Sequence, residues 1–155
     1  MAENLRQQVL DYLKNHNTMT LATCNGDTPW AATVFFASDG LNLYFFSSPE
    51  SRHCQNLVAN GRVAVTVQED YKDWRKIKGV QLEGRVELVD GIGSKAKALA
   101  VYALKFPDVI KLFTDPNSGV LHKAFLKVKF YRVLPDKLFF IDNEQGFGKR
   151  QELLL

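Results

Sequence analysis

Ser47-Ser48-Pro49-Glu50-Ser51-Arg52-His53 concentrates anion-binding chemistry: three hydroxyls, a guanidinium and an imidazole within seven residues. Hydroxyls donate one hydrogen bond each, arginine offers a flat fork of donors, and histidine adds a donor that is cationic when protonated. The stretch follows an apolar, aromatic run, Leu41 to Phe46, that reads as a buried strand. It precedes Cys54-Gln55-Asn56-Leu57-Val58-Ala59, which reads as a short helix. Ser48 is expected to cap that helix, with Pro49 at its first position. Free N–H groups and the helix dipole favour a phosphate at such a start. The competing reading is plain: serines that only cap, an Arg52 that is merely solvated, and a His53 with no partner. Context has to decide between them.

The chain has 155 residues, the size of one domain, and its composition is 46% hydrophobic and 24% charged, which is ordinary for a globular protein. A net charge of +3 from scattered Lys and Arg argues against a dedicated nucleic-acid binder, which would concentrate a basic face. No apolar run is long enough to span a bilayer, and Met1-Ala2-Glu3-Asn4-Leu5-Arg6 does not lead into a signal-peptide core, so the expected location is cytoplasmic. Cys24 and Cys54 lack metal-ligand spacing, and His16, His53 and His122 form no cluster, so no metal site is expected. Cys54, one residue past the phosphate turn, is either a thiol with a lowered pKa or a small buried hydrophobe.

The elements that must position these residues can be read in order. Leu5, Val9, Tyr12 and Leu13 give an amphipathic helix over about 4–15. Strands are expected at 18–24, 29–37 and 41–47, joined by tight turns at Asn25-Gly26-Asp27 and Ser38-Asp39-Gly40. Strand four covers 62–68. A long strand over 77–89 places Val80, Leu82, Val86 and Leu88 on one side, with Gly84 marking a bulge or a close backbone approach. A helix runs from about 94 to 105 and stops at Pro107, and 108–113 adds a helical turn. The last strands are expected at 125–134 and 138–141, followed by a tail over 142–155. Short turns exclude parallel crossovers between the first strands. The fold class is therefore mainly β: one domain over 1–155, an antiparallel barrel of six to seven strands with short flanking helices.

In this order of elements the chain resembles the FMN-binding split-barrel superfamily, that of pyridoxamine 5'-phosphate oxidase, over roughly residues 5–142. The resemblance is carried by Pro29-Trp30-Ala31-Ala32-Thr33-Val34-Phe35-Phe36, then Leu43-Tyr44-Phe45-Phe46-Ser47-Ser48, then Ser51-Arg52-His53 with Asn56-Leu57. Gly84-Arg85-Val86-Glu87 is similar to the family's central Gly-Arg-Val-Glu stretch, and the tail Asn143 to Lys149 looks like that of a small uncharacterised bacterial branch. In the oxidases the matching helix start reads Ser-Arg-Lys and grips the FMN phosphate; here His53 replaces the Lys. The oxidases also carry an Arg and a Lys where this chain has Ala32 and Ala37, so vitamin B6 oxidation is not expected while FMN binding is.

The resemblance implies FMN with its phosphate on Ser47, Ser48, Ser51, Arg52 and His53. Its ring would lie along Ala31, Ala32, Thr33 and Val34, beside Trp30 and Phe46. Gln81 stands in for a flavin-contacting Gln whose aligned position is Gly79. It also implies a homodimer with FMN at the interface, where Lys149 and Phe147 reach the partner's flavin. The expected activity is an oxidoreductase that takes electrons from a reduced nicotinamide and passes them to a small molecule. No catalytic acid–base residue is assigned. The alternatives are a flavin protein without turnover, acting as sensor, store or carrier; a haem protein using His53, His122 or His16 as axial ligand; and a barrel that binds single-stranded nucleic acid.

Overall fold

The computed structural model describes residues 2–155. Its elements are α1 (Ala2–Asn15), β1 (Thr18–Asn25), β2 (Thr28–Phe35), β3 (Ala37–Asp39), β4 (Asn42–Ser47), α2 (Arg52–Ala59), β5 (Arg62–Val67), β6 (Lys78–Leu88), α3 (Ile92–Lys105), α4 (Val109–Thr114), α5 (Val120–Leu126), β7 (Lys129–Asp142) and β8 (Arg150–Leu153). All strand pairs are antiparallel, in the order β2-β1-β5-β6-β7-β4-β3, with β8 added on β7. The two ends of this path, β2 and β3, are joined through the single residue Phe36. The sheet must therefore curl until its edges approach, which makes the split barrel. The expected mainly β, antiparallel architecture is what forms.

Alternation along the strands fills the barrel. Met19 and Leu21 of β1, Val63, Val65 and Val67 of β5, Val80 and Leu82 of β6, and Leu138 and Phe140 of β7 point inward and are buried. Val9, Tyr12 and Leu13 of α1 plug the same core. β4 is apolar on both faces for a reason: Leu43 and Phe45 face the barrel, while Tyr44 packs with Val89 and Ala98 under α3. Turns form at Gly26 and Gly40, each with a positive φ that glycine adopts without strain.

Four expectations on elements need correction. Residues 29–37 are not one strand: the chain breaks at buried Phe36, where it turns from one sheet edge to the other. Phe125 lies in α5, and β7 then runs unbroken from Lys129 through Pro135. Pro135 has no N–H to give, and the register shift opposite Glu83/Gly84 accommodates it. The tail is not wholly loop, because Arg150–Leu153 pairs with Leu138–Ile141 and buries Leu153. Leu88, at the end of β6, leaves the core and is 48% exposed.

Lys105 ties α3 to α1. Its Nζ donates to the carbonyls of Leu13 (3.1 Å) and His16, and lies 4.1 Å from the Phe36 ring centroid. Burial pulls this ammonium from the ordinary 10.5 down to about 8. The unfolded chain therefore holds more protons between those two values, so stability rises with pH across that window and is flat below it. Half-exposure screens the effect to about 1 kcal/mol. Denaturant melts of the wild type and Lys105→Met check this: the wild type is expected to gain on the variant from pH 8 to 9.5. A constant difference would refute it.

Candidate functional site

α2 begins at Arg52, and its N-cap is Ser51, whose Oγ accepts from the Cys54 N–H at 3.4 Å. This corrects the expectation that Ser48 caps with Pro49 at the first helical position. Ser48 Oγ instead accepts from the Glu50 N–H at 3.2 Å, closing a turn ahead of the helix. Ser51 also donates to the Ser48 carbonyl at 2.7 Å, so its hydroxyl is committed. With Cys54 capped, the N–H groups of Arg52 and His53 are the free donors of the first turn. The first turn carries no acidic side chain to compete for them.

His53 is buried, and its Nε2 sits 2.7 Å from Ser47 Oγ and 3.3 Å from Ser51 Oγ. When Nε2–H donates to Ser47, the Ser47 proton is left to point at a ligand. His53 thus positions Ser47 more than it meets an anion itself. Arg52 is exposed, with its guanidinium carbon 4.0 Å above the Trp30 ring. Trp30, 38% exposed, is neither a core residue nor free: it is the platform for Arg52. Burial works to raise the Cys54 thiol, but hydrogen bonding with His53, Ser51 and Tyr131 holds it below the ordinary thiol range. At 1% exposure it serves packing.

The helix start is held by a bond that the sequence reading did not identify. Asn56 Nδ2 donates to Thr23 Oγ1 at 3.0 Å, both residues buried. Thr23 lies opposite Trp30 in the β1–β2 ladder. One polar pair therefore fixes α2 over the strand that carries Trp30. The available signal was Thr23 on the inward-facing parity of β1, where an unpaired hydroxyl demands a partner.

Along β2, Ala31 and Thr33 are exposed and Ala32 and Val34 half-buried. The neighbouring outward positions are also small: Ala31 pairs with Ala22 and then Ala64, and Thr33 with Thr20 and then Thr66. Phe46 precedes Ser47, the last residue of β4, and lies under a ring cluster of Tyr102, Phe113, Phe125 and Phe130. The structure brings Trp30 to Arg52 and places Ser47, Ser48, Ser51 and His53 in the same turn, and Val34 and Phe46 line one cavity, whereas Ala31 and Thr33 face the side of β2 opposite to Trp30, Ala32 and Val34.

It does not bring Gln81 or Lys149 to them. Gln81 pairs with Thr66, three strands from β2 and roughly 14 Å from Thr33 at ordinary strand spacing. Its Oε1 accepts from Arg150 Nε at 2.9 Å. Lys149 is exposed beside β8, which meets β7 at Ile141, whereas Ser47 meets β7 at Lys129. Those positions are on the order of 40 Å apart along a strand. Phe147 lies near Lys149 and stacks edge-on against Trp74 at 5.2 Å.

Among the described residues no group of His, Cys, Asp and Glu is placed to hold a metal, and no helix is long and apolar enough to cross a membrane.

A UPF0306 protein of Photorhabdus laumondii is 28% identical over 141 residues, covering 90% of this chain and 88% of its own. Among solved structures, a FAD-binding protein of Mesorhizobium loti superposes with a TM-score of 0.66 at 23% identity, covering 85% of this chain and 90% of that one. The heme storage protein HutZ of Vibrio cholerae superposes at 0.69 and 20% identity, covering 87% and 93%. Structures at this identity speak for the fold alone, and that fold has both flavin-binding and heme-binding members. The profile of pyridoxamine 5'-phosphate oxidase matches residues 5–133, most of the described barrel, and the chain accordingly belongs to the pyridoxamine 5'-phosphate oxidase family.

Proposed function

We propose that the chain is an FMN-binding flavoprotein and works as an oxidoreductase, taking electrons from a reduced nicotinamide and delivering them to a small molecule. The observation that carries this is the donor set at the start of α2: Ser47 oriented by His53, the free N–H groups of Arg52 and His53, and the Arg52 fork within reach of the same turn. Its chemistry fits a phosphate monoester dianion. Ala32 and Val34, on the same face of β2 as Trp30, leave room for a planar ring laid along that strand. FMN supplies the hydride and electron chemistry when bound; the protein supplies binding and orientation.

Each residue then has a task. Arg52 and the first turn of α2 hold the phosphate. Small side chains on β2 allow close approach to the strand, and Trp30 holds Arg52 in place until it is needed. Gln81 and Lys149 are too far from the cradle within one chain, so the reading assigns them to the flavin of a second subunit in a homodimer. Ala32 and Ala37 carry no charge for a substrate phosphate, and Ala37 is buried, so the substrate is not a vitamin B6 phosphate.

The haem reading finds less support. His16 Nδ1 is 2.7 Å from the Tyr12 carbonyl and its Nε2 3.7 Å from Glu69, while His53 Nε2 is held by Ser47. His16 and His53 would have to give up these partners to ligate iron, whereas His122, whose Nδ1 is 2.8 Å from the Leu112 carbonyl, has no partner on Nε2 among the described residues.

The visible spectrum tests the proposal. The purified protein, or the apoprotein titrated with FMN, is expected to show flavin bands, and anaerobic addition of reduced nicotinamide is expected to bleach them at a catalytic rate. Bands that persist would make the protein a flavin carrier. A protein that stays colourless with FMN would end the proposal.

A further inference from the structure

A second cavity opens beside the cradle. It has a volume of about 390 Å³ and is walled by Val34 and Phe35 of β2, Phe46 of β4, Tyr102 of α3 and Phe106 just beyond it, and Val109 and Phe125. Phe35 is 58% exposed and meets Phe106 edge-on at 5.7 Å, and Phe46 meets Tyr102 at 4.3 Å and Phe125 at 5.4 Å. Aromatic rings on several sides make a slot for a flat apolar molecule, and the volume lies within the range of small-molecule sites.

One polar group breaks this wall. Tyr102 is 2% exposed and its hydroxyl makes no hydrogen bond among the described residues, but it is not sealed off, since the fully buried side-chain atom without a partner there is Arg132 Nε. Burial alone holds its phenol protonated, well above the ordinary range, so it can act only as a donor or a neutral acceptor. A hydroxyl that lines the cavity and has no protein partner leaves its proton free for an acceptor on a ligand.

We propose that this cavity binds a planar, apolar aromatic molecule carrying a carbonyl, whose oxygen accepts a hydrogen bond from Tyr102. The site shares Val34 and Phe46 with the proposed flavin site, so the ligand would lie against the same edge of β2. As the substrate site of the oxidoreductase, it rests on the preceding reading; as a binding site, it stands alone.

Two probes of equal shape test it: 2-acetylnaphthalene, which has the carbonyl, and 2-ethylnaphthalene, which lacks it. Both are titrated calorimetrically into the full-length protein without FMN, so a failure to bind flavin cannot be mistaken for a failure here. The acetyl compound is expected to bind more tightly, and Tyr102→Phe is expected to weaken it about tenfold while leaving the ethyl compound unchanged. That substitution keeps the ring and its packing, so the fold is preserved. Equal weakening of both probes, or no binding of either, would overturn the proposal. Binding seen only in a Phe35→Asp variant, together with dissociation of the wild type on that substitution, would mean that a second copy of the chain fills the cavity, and would overturn it too.

Discussion

Arg52→Ala is expected to weaken FMN binding by about 10- to 100-fold with little change in folding stability. A bidentate, charge-assisted contact to phosphate is worth roughly 1.5–3 kcal/mol, which sets that range. Arg52 is exposed, and its stack on Trp30 contributes about 0.5–1 kcal/mol at such a site, so the fold tolerates its loss. Arg52→Lys should fall between, because lysine keeps the charge and loses the flat fork. The wild-type affinity should also fall as salt is added, since the contact lies near the surface. Flavin fluorescence titrations of the three proteins at two ionic strengths decide the matter. An Arg52→Ala protein that binds FMN as tightly as wild type would move the phosphate away from α2 altogether.

Ser47 and Arg52 do not reach this turn by the same means. Ser47 is the last residue of a buried strand and is oriented by His53, so its place is set by the barrel. Arg52 stands on the first turn of a helix that Asn56 pins to Thr23, so its place is set by one polar pair and the Trp30 platform. The turn ahead of α2 was legible because its ingredients are local: hydroxyls, a cationic fork and a helix start are adjacent in sequence. The exact cap was not, because both Ser48 and Ser51 have the right chemistry, and only the packing of His53, Cys54, Asn56 and Leu57 against the sheet selects the later start.

The barrel was legible where periodicity and turn residues spoke together, as in β1 and β4. It was obscure where long-range pairing overrules local signals. Pro135 in the middle of a strand looks like a break until the opposing Gly84 is considered, and Arg150–Leu153 becomes a strand only because β7 offers it a free edge. The same holds for Gln81 and Lys149, whose family resemblance is local but whose distance from the cradle is a matter of register. The homodimer proposed above assigns them to the flavin of a second subunit.

Gly84 is the position where the fold itself is most sensitive to a single methyl group. A Cβ there would lie 2.2 Å from the Leu134 carbonyl oxygen, and 3.0 Å from both the Leu134 carbonyl carbon and Pro135 Cα. All three atoms are backbone of β7, so no side-chain rotation relieves the clash. Gly84 is not held at a positive φ, so space rather than backbone conformation demands glycine. The strand that would have to retreat pairs with β6 from Lys78 to Leu88, and the register shift at Glu83/Gly84 depends on the close approach. Gly84→Ala is therefore expected to cost at least about 3 kcal/mol, a large part of the stability of an ordinary domain. Gly93→Ala is the matching control: it lies in α3, a new Cβ meets nothing within 4 Å, and alanine favours a helix by about 0.5–1 kcal/mol. Urea denaturation should thus move the two variants in opposite directions from the wild type. A Gly84→Ala protein destabilised by less than 1 kcal/mol would show that β7 gives way freely at Pro135, and that the bulge is not the rigid joint of the barrel.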